Sequence, residues 1–390
     1  MQNIILFNQD EMTPTIGGIA RINCNLHDAL KKKGVNCILL SAEHQEGFKP
    51  YCTQFHLPDS KECDSAKNVG WLHQFIEDED ISVIINSDFR ISSIKLLDTA
   101  RQGTNCKIIS WIHNNVVEYG SLVGFRKEKE LKEKHLGILF SLLTTRFALT
   151  TFRLLAKRKH SGTANEIYKR SDRVMTVCDG NISEFVFLLG HNDSDNKILS
   201  IPNFITSIAE EVHPEEKQNS VVWCGAVNFD LKKTNWMLDI WREIQEQFPD
   251  WTLTIMGDGL QLQEIKDYAK ELGTERVVFC GRVNPDEYYR KASIICSTSI
   301  SESFGLTIVE GMQRKAVPVA FGSSASIKEI IGCNGILVQP FDKKRFIKSL
   351  SSLMKQDALR LFLAEKSRIA AYQYDEEYVI RLWMQILNQL

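Results

Sequence analysis

Two glutamates, Glu302 and Glu310, are the residues whose spacing most directly suggests chemistry. They bracket Ser303-Phe304-Gly305-Leu306-Thr307-Ile308-Val309. The apolar run Ser293-Ile294-Ile295-Cys296 before them reads as a buried strand, and Leu306, Val309 and Met312 fall on one face of a following helix. Glu302 is therefore expected in a loop after a strand, and Gly305 where the helix begins. The first amides of a helix lack intrahelical partners and favour anions. A loop carboxylate, a set of free amides around Gly305, Leu306 and Thr307, and a helix carboxylate would group at the C-terminal end of a strand. Ligands bind there in open α/β sheets.

Elements able to position such a group recur along the chain. Apolar runs at Ile4–Phe7, Val35–Leu40, Ile81–Ile85, Lys107–Ile112, Arg173–Cys178 and Lys197–Ile201 read as strands in the first half. Val221–Gly225, Trp251–Met256, Val277–Cys280 and Ser293–Cys296 read as strands in the second, with helical spacing between them. This alternation predicts parallel sheets covered on both faces. Occurring in both halves, it predicts an α/β fold of two Rossmann-like, doubly wound domains facing each other across a cleft. The expected boundaries are residues 1–205, with 374–390 crossing back onto them, and residues 206–373. The polar residues after Pro202-Asn203, through Lys217, read as the linker.

The Glu302/Glu310 stretch resembles the E-x7-E motif of retaining glycosyltransferases of family 4, which have the GT-B fold. The Ser303-Phe304-Gly305 insert, Glu310-Gly311-Met312 and the following Ala316-Val317-Pro318-Val319 strand strengthen the likeness. The resemblance implies a retaining hexosyltransferase that takes a nucleotide-sugar donor, a UDP-sugar being favoured. Its acceptor would be a glycan or lipid-linked saccharide, in cell-surface polysaccharide or lipopolysaccharide synthesis. It further implies that Glu310 holds the ribose hydroxyls, that Glu302 contacts the hexose, and that Phe304 lies in the binding segment. Val283 would present its backbone to the nucleobase. Gly17-Gly18, after the first strand, corresponds to a loop near the donor phosphates and the acceptor. His113, just past a strand, corresponds to a histidine facing the donor sugar. Lys232 falls on the family's phosphate lysine. The arginine that family members carry directly after the strand glycine is replaced by Ala226, which leaves Lys233 as a substitute cation. The resemblance implies neither metal nor cofactor, since the nucleotide-sugar is a substrate.

Three alternatives stay open: a nucleotide-sugar epimerase, a phosphorylase-like enzyme on the same fold, and a non-catalytic sugar-nucleotide binding protein. Ala226 is the residue that favours the third. A dinucleotide oxidoreductase is disfavoured because no G-x-G-x-x-G follows the first strand.

Composition narrows the classes further. The chain has 390 residues, enough for two α/β domains, and is 43% hydrophobic and 25% charged. A formal net charge of -2 gives no global attraction to nucleic acid. The ten cysteines form no C-x-x-C pair, so neither a zinc site nor a disulfide framework is read from them. Reduced thiols and an N-terminus without signal-peptide character lead to the expectation of a cytoplasmic protein. Between Arg126 and His160 stand ten Lys/Arg and three Glu beside Leu136–Leu143, Phe147, Leu154 and Leu155. This segment suits either peripheral contact with the inner face of the plasma membrane or a packed helix pair with a solvated basic face.

Overall fold

The computed structural model describes residues 2–14, 17–44, 47–113, 146–206 and 212–390, apart from the side chains of 146–149, 152 and 214. The described chain forms two compact units. Of the described residues, those in 2–113, 157–204 and 376–390 form the first, and those in 146–156 and 205–375 the second.

In the first unit, strands β1 (Asn3–Asn8), β2 (Asn36–Ser41), β3 (Gln54–His56), β4 (Ile81–Asn86), β5 (Lys107–Ile112), β6 (Arg173–Thr176) and β7 (Ile198–Ser200) form one parallel sheet, in the order β3-β2-β1-β4-β5-β6-β7. Its helices are α1 (Gly18–Lys32), α2 (Ala66–Asp78), α3 (Ile91–Ala100) and α5 (Asp179–Leu189), with α4 (Arg146–Arg170) entering it from residue 157. Ile4, Ile5, Leu6 and Phe7 are all fully buried, as a strand covered by helices on both faces requires. Helix α13 (Glu376–Leu387) belongs to this unit, and Lys32 of α1 donates to Glu376 at 2.7 Å.

The second unit contains strands β8 (Gln218–Cys224), β9 (Thr252–Met256), β10 (Val277–Gly281), β11 (Ala292–Ser297), β12 (Val317–Phe321) and β13 (Ile336–Val338). They form a parallel sheet in the order β10-β9-β8-β11-β12-β13. Around it lie α6 (Thr234–Ile244), α7 (Leu262–Glu271), α8 (Asp286–Lys291), α9 (Leu306–Gln313), α10 (Ala325–Ile331), α11 (Lys343–Lys355) and α12 (Asp357–Ala371). Trp223, Trp236, Trp241, Phe321 and Phe346 are buried in its core. Burying rings of that size dominates the hydrophobic stabilisation of the unit.

Both sheets reverse direction of build once, between β1 and β4 and between β8 and β11. At such a switch point the loops leaving adjacent strands run to opposite faces and open a crevice at the strands' C-terminal ends.

Two expectations fall on residues outside those described. The first is residues 126–145 of the basic segment, and the second is residues 207–211 of the linker. The ten cysteines are all free thiols. Among the described residues, no helix is long and apolar enough to cross a membrane.

Candidate nucleotide-sugar site

The second unit's switch point brings together the loops after β8 and β11. Both loops are fixed by their own backbone and by each other. Asn228 Oδ1 accepts from the Lys232 amide at 2.9 Å, and the Ile300 amide donates to Leu231 O at 2.9 Å. Thr298 Oγ1 accepts from Trp223 Nε1 at 3.1 Å and lies 3.0 Å from the carbonyls of both Lys232 and Lys233. A buried hydroxyl thus ties the end of β11 to the turn that carries the lysines.

The loops after β8 and β9 touch closely enough to exclude a side chain. The Gly225 amide donates to Met256 O at 3.0 Å, and Val227 to Asp258 O at 2.9 Å. A Cβ on Gly257 would stand 1.8 Å from Gly225 O, and Gly257 has a φ of 136°, so only glycine fits.

On this platform Lys232 Nζ donates to Glu302 Oε1 at 2.7 Å, and Ser299 Oγ donates to the same oxygen at 2.7 Å. Both charged side chains are partly covered, 27% exposed for Lys232 and 14% for Glu302. A partly shielded pair of this kind attracts more strongly than one in open water.

Gly305 caps α9 with a φ of 109°, and a Cβ there would meet Ile327 Cδ1 at 2.6 Å. The left-handed cap lets the loop turn sharply into the helix, so Glu302 and the amides of Leu306 and Thr307 lie within one short stretch. Helix α9 then packs against β11 through Gly311, where an added Cβ would lie 2.7 Å from Ile295 Cδ1.

Glu310, on α9, accepts from the Tyr289 hydroxyl at 3.3 Å. Burial, followed by the nearby Cys224 and Glu310, holds the Tyr289 hydroxyl well above its ordinary pKa. It therefore stays protonated and acts as the donor.

Three expected site residues are placed differently from the rest of the group. Lys233 has a left-handed backbone, φ 50°, and its side chain is buried, with Nζ 5.2 Å from the centre of the Trp236 ring. Its ammonium is committed to the interior, which argues against its replacing the arginine absent at Ala226. Phe304 is likewise buried, its ring edge-on to Tyr374 at 5.5 Å, so it supports the loop from below. Val283 is exposed after β10.

The first unit holds the other expected residues. Gly17 is the N-cap of α1 with a φ of 71°, and among the described residues nothing stands within 4 Å of a Cβ at Gly17 or Gly18. A helix N-terminus suits an anion or a hydroxyl. His113 directly follows β5 and is 3% exposed. Its ring lies 4.2 Å from that of Trp111, which in turn meets Trp383 edge-on at 4.9 Å. Burial lowers the His113 pKa to about 3, so the ring is neutral, and among the described residues its buried Nε2 has no hydrogen-bond partner.

Sequence reasoning did not select Thr298, Ser299 or Tyr289. Serine, threonine and tyrosine are common in loops and helices. Only the tertiary fold reveals that these three brace Lys232, Glu302 and Glu310.

In chemical terms the second unit offers one cation, one loop carboxylate, helix amides and a helix carboxylate held by a phenol. Cation and amides suit a diphosphate, and carboxylates suit sugar hydroxyls.

Comparison with known proteins agrees with this architecture. Residues 218–356 match the family model described as glycosyl transferases group 1. A Haemophilus influenzae protein described as an uncharacterized glycosyltransferase is 24% identical over 381 residues, covering 95% of this chain and 96% of that one. The amylovoran biosynthesis glycosyltransferase AmsD of Erwinia amylovora is 30% identical over 176 residues, 44% of this chain and 49% of its own. Among solved structures, Anabaena HepE in complex with UDP and glucose superposes with a TM-score of 0.73 at 15% identity, each chain covered over 100%. TarM of S. aureus, in a complex that contains UDP, gives 0.71 at 13% identity with the same coverage. The fold is that of GT-B glycosyltransferases, two parallel-sheet Rossmann-like domains, and with the match over 218–356 it supports placing this chain in the glycosyltransferase superfamily.

Proposed function

We propose that this chain is a retaining, metal-independent hexosyltransferase of family 4. It would transfer a sugar from a UDP-hexose to a glycan or lipid-linked saccharide in the synthesis of a cell-surface polysaccharide. The observation that carries the reading is Lys232 Nζ held 2.7 Å from Glu302 Oε1 at the switch point, beside the N-terminus of α9. HepE bound to UDP and glucose, and the amylovoran glycosyltransferase, support the choice of donor and pathway class.

As the bond from the anomeric carbon to the diphosphate breaks, negative charge grows on the departing phosphate. Lys232 and the α9 amides are pre-aimed donors for that charge, which is the kind of stabilisation that lowers such barriers most. The leaving phosphate takes the acceptor's proton as the acceptor oxygen attacks from the same face, so the anomeric configuration is retained. Glu302 exchanges its contact with Lys232 for the hexose hydroxyls. Glu310 accepts from the ribose hydroxyls while Tyr289 keeps it oriented. Gly17-Gly18 and His113 are assigned to the acceptor and the sugar, and a neutral imidazole nitrogen suits a sugar hydroxyl.

The test is transfer from UDP-hexoses in the presence of EDTA, with the product anomer read by NMR. Undiminished turnover and the donor's own anomeric configuration are expected. Activity lost on chelation, or an inverted product, would overturn the proposal.

A further inference from the structure

The C-terminal edge of the first unit's sheet carries a second cluster with chemistry of its own. Glu11 follows β1, His44 follows β2, and His56 ends β3. These three strands are neighbours in the order β3-β2-β1, so the topology stacks their ends side by side. One oxygen of Glu11 receives both imidazoles. His44 Nδ1 lies 2.7 Å from Oε1 and His56 Nε2 lies 3.5 Å from it. One ligand atom from each of the three residues falls within 4.8 Å of the other two. The rings sit 4.5 Å apart, tilted by 44°.

Hydrogen-bond accounting identifies which nitrogen of His56 is bare. Ser41 Oγ donates its single proton to Glu43 O at 2.8 Å. Its 2.8 Å contact with His56 Nδ1 must then be an N–H donating to the hydroxyl oxygen. A neutral His56 therefore turns the lone pair of Nε2 toward a carboxylate oxygen. Two electron pairs face each other, which is unfavourable unless a cation stands between them. The Glu11 side chain is 2% exposed, so water does little to relieve the repulsion, whereas His44 at 57% leaves a way in from solvent.

We propose that Glu11, His44 and His56 bind a divalent transition-metal ion, zinc by preference. Two imidazoles and one carboxylate form a common zinc set, leaving the fourth position to water or another oxygen ligand. Tetrahedral zinc with bonds of about 2.0–2.2 Å separates its ligand atoms by roughly 3.3 Å, within the spread seen here. The Ser41 hydroxyl, itself anchored to Glu43 O, supplies the outer hydrogen bond that fixes the tautomer of a ligating histidine. Binding displaces any proton shared by His44 and Glu11. The ion would pin the ends of β1, β2 and β3 together. The ion takes no part in the transfer step proposed above.

The experiment uses the full chain, stripped with EDTA and dialysed, then titrated with zinc chloride by calorimetry. One equivalent of zinc is expected to bind. His44→Ala and His56→Ala should each weaken uptake at least 100-fold, while their metal-free thermal melts show that they remain folded. Cobalt(II) loading of the wild type should give the visible absorption bands of a tetrahedral nitrogen–oxygen site, and the His56→Ala sample should lack them. Stoichiometric zinc uptake that survives both histidine substitutions, or no uptake by the wild type, overturns the proposal.

Discussion

Lys232 and Glu302 stand 70 residues apart in the chain, yet their side chains meet at 2.7 Å because β8 and β11 are neighbours in the sheet. Each charge is thereby held in place before any ligand arrives. Ser299 steadies the carboxylate, and Thr298 steadies the turn that carries the lysine.

That pairing leads to the first prediction. Lys232→Ala should lower kcat/KM for transfer by about 10²–10³, the usual effect of removing one pre-aimed donor to a developing anion. In the ligand-free protein, Lys232→Ala and Glu302→Gln should not add. A coupling of about 0.5–3 kcal/mol is expected for residues in direct contact. Denaturant unfolding of the single and double variants measures it. Strict additivity would mean that the contact is not formed in solution.

A second prediction concerns Glu310. Glu310→Ala should weaken binding of the nucleoside diphosphate by about 1.5–3 kcal/mol, the loss of a charge-assisted hydrogen bond. Tyr289→Phe removes only the hydroxyl that donates to Glu310 at 3.3 Å. Because Tyr289 orients Glu310 and is not itself assigned to the ligand, its substitution should weaken UDP binding less than Glu310→Ala does. Calorimetric titration with UDP distinguishes the two. Unchanged affinity in Glu310→Ala would exclude a ribose contact.

How much of this was legible in sequence depends on how local the cause is. The strands were readable because parallel strands buried on both faces must be continuously apolar. Val221, Val222 and Trp223 show this, all three being buried. Gly305 was readable too, since a glycine before an amphipathic run marks a helix start. Lys233 was not. Adjacent lysines look alike in sequence, and only the left-handed backbone at Lys233 sends one ammonium to Trp236 while Lys232 reaches Glu302. The Glu11–His44–His56 cluster was equally hidden. Its members are joined by strand order rather than by a spacing motif, and the zinc patterns sought in sequence were built on cysteine.

The described part of the basic segment supports a third prediction. On α4, Leu154 and Leu155 are 57% and 55% exposed, beside exposed Arg153, Arg158 and Lys159. Apolar and basic side chains presented together suit an anionic membrane surface. Cosedimentation with phosphatidylserine-containing liposomes is expected at low salt and should decline as salt screens the charges. Arg158→Glu with Lys159→Glu should reduce it, each charge near the surface contributing about 1 kcal/mol. Absence of binding at low salt would favour the helix-packing alternative.

The last prediction follows from the buried imidazole of His113. Burial alone lowers its pKa from 6.5 to about 3. In the unfolded chain the same group takes up a proton near pH 6.5, so between pH 6.5 and 3 the unfolded state binds more protons than the folded one. Stability contributed by the neutral ring is complete above pH 6.5. It is lost as pH falls toward 3, with a slope approaching 1.36 kcal/mol per pH unit and a total of about 5 kcal/mol. His113→Phe removes the titrating group while keeping an aromatic ring against Trp111. Urea unfolding from pH 7.5 to 4 should therefore show a steeper fall in the wild type than in the variant. The NMR signals of His113 should stay those of a neutral imidazole down to about pH 4, one unit above the lowered pKa. Parallel pH curves for the two proteins, or a His113 that titrates near pH 6.5, would mean that the ring is solvated. Its buried Nε2 would then lose its claim to a sugar hydroxyl.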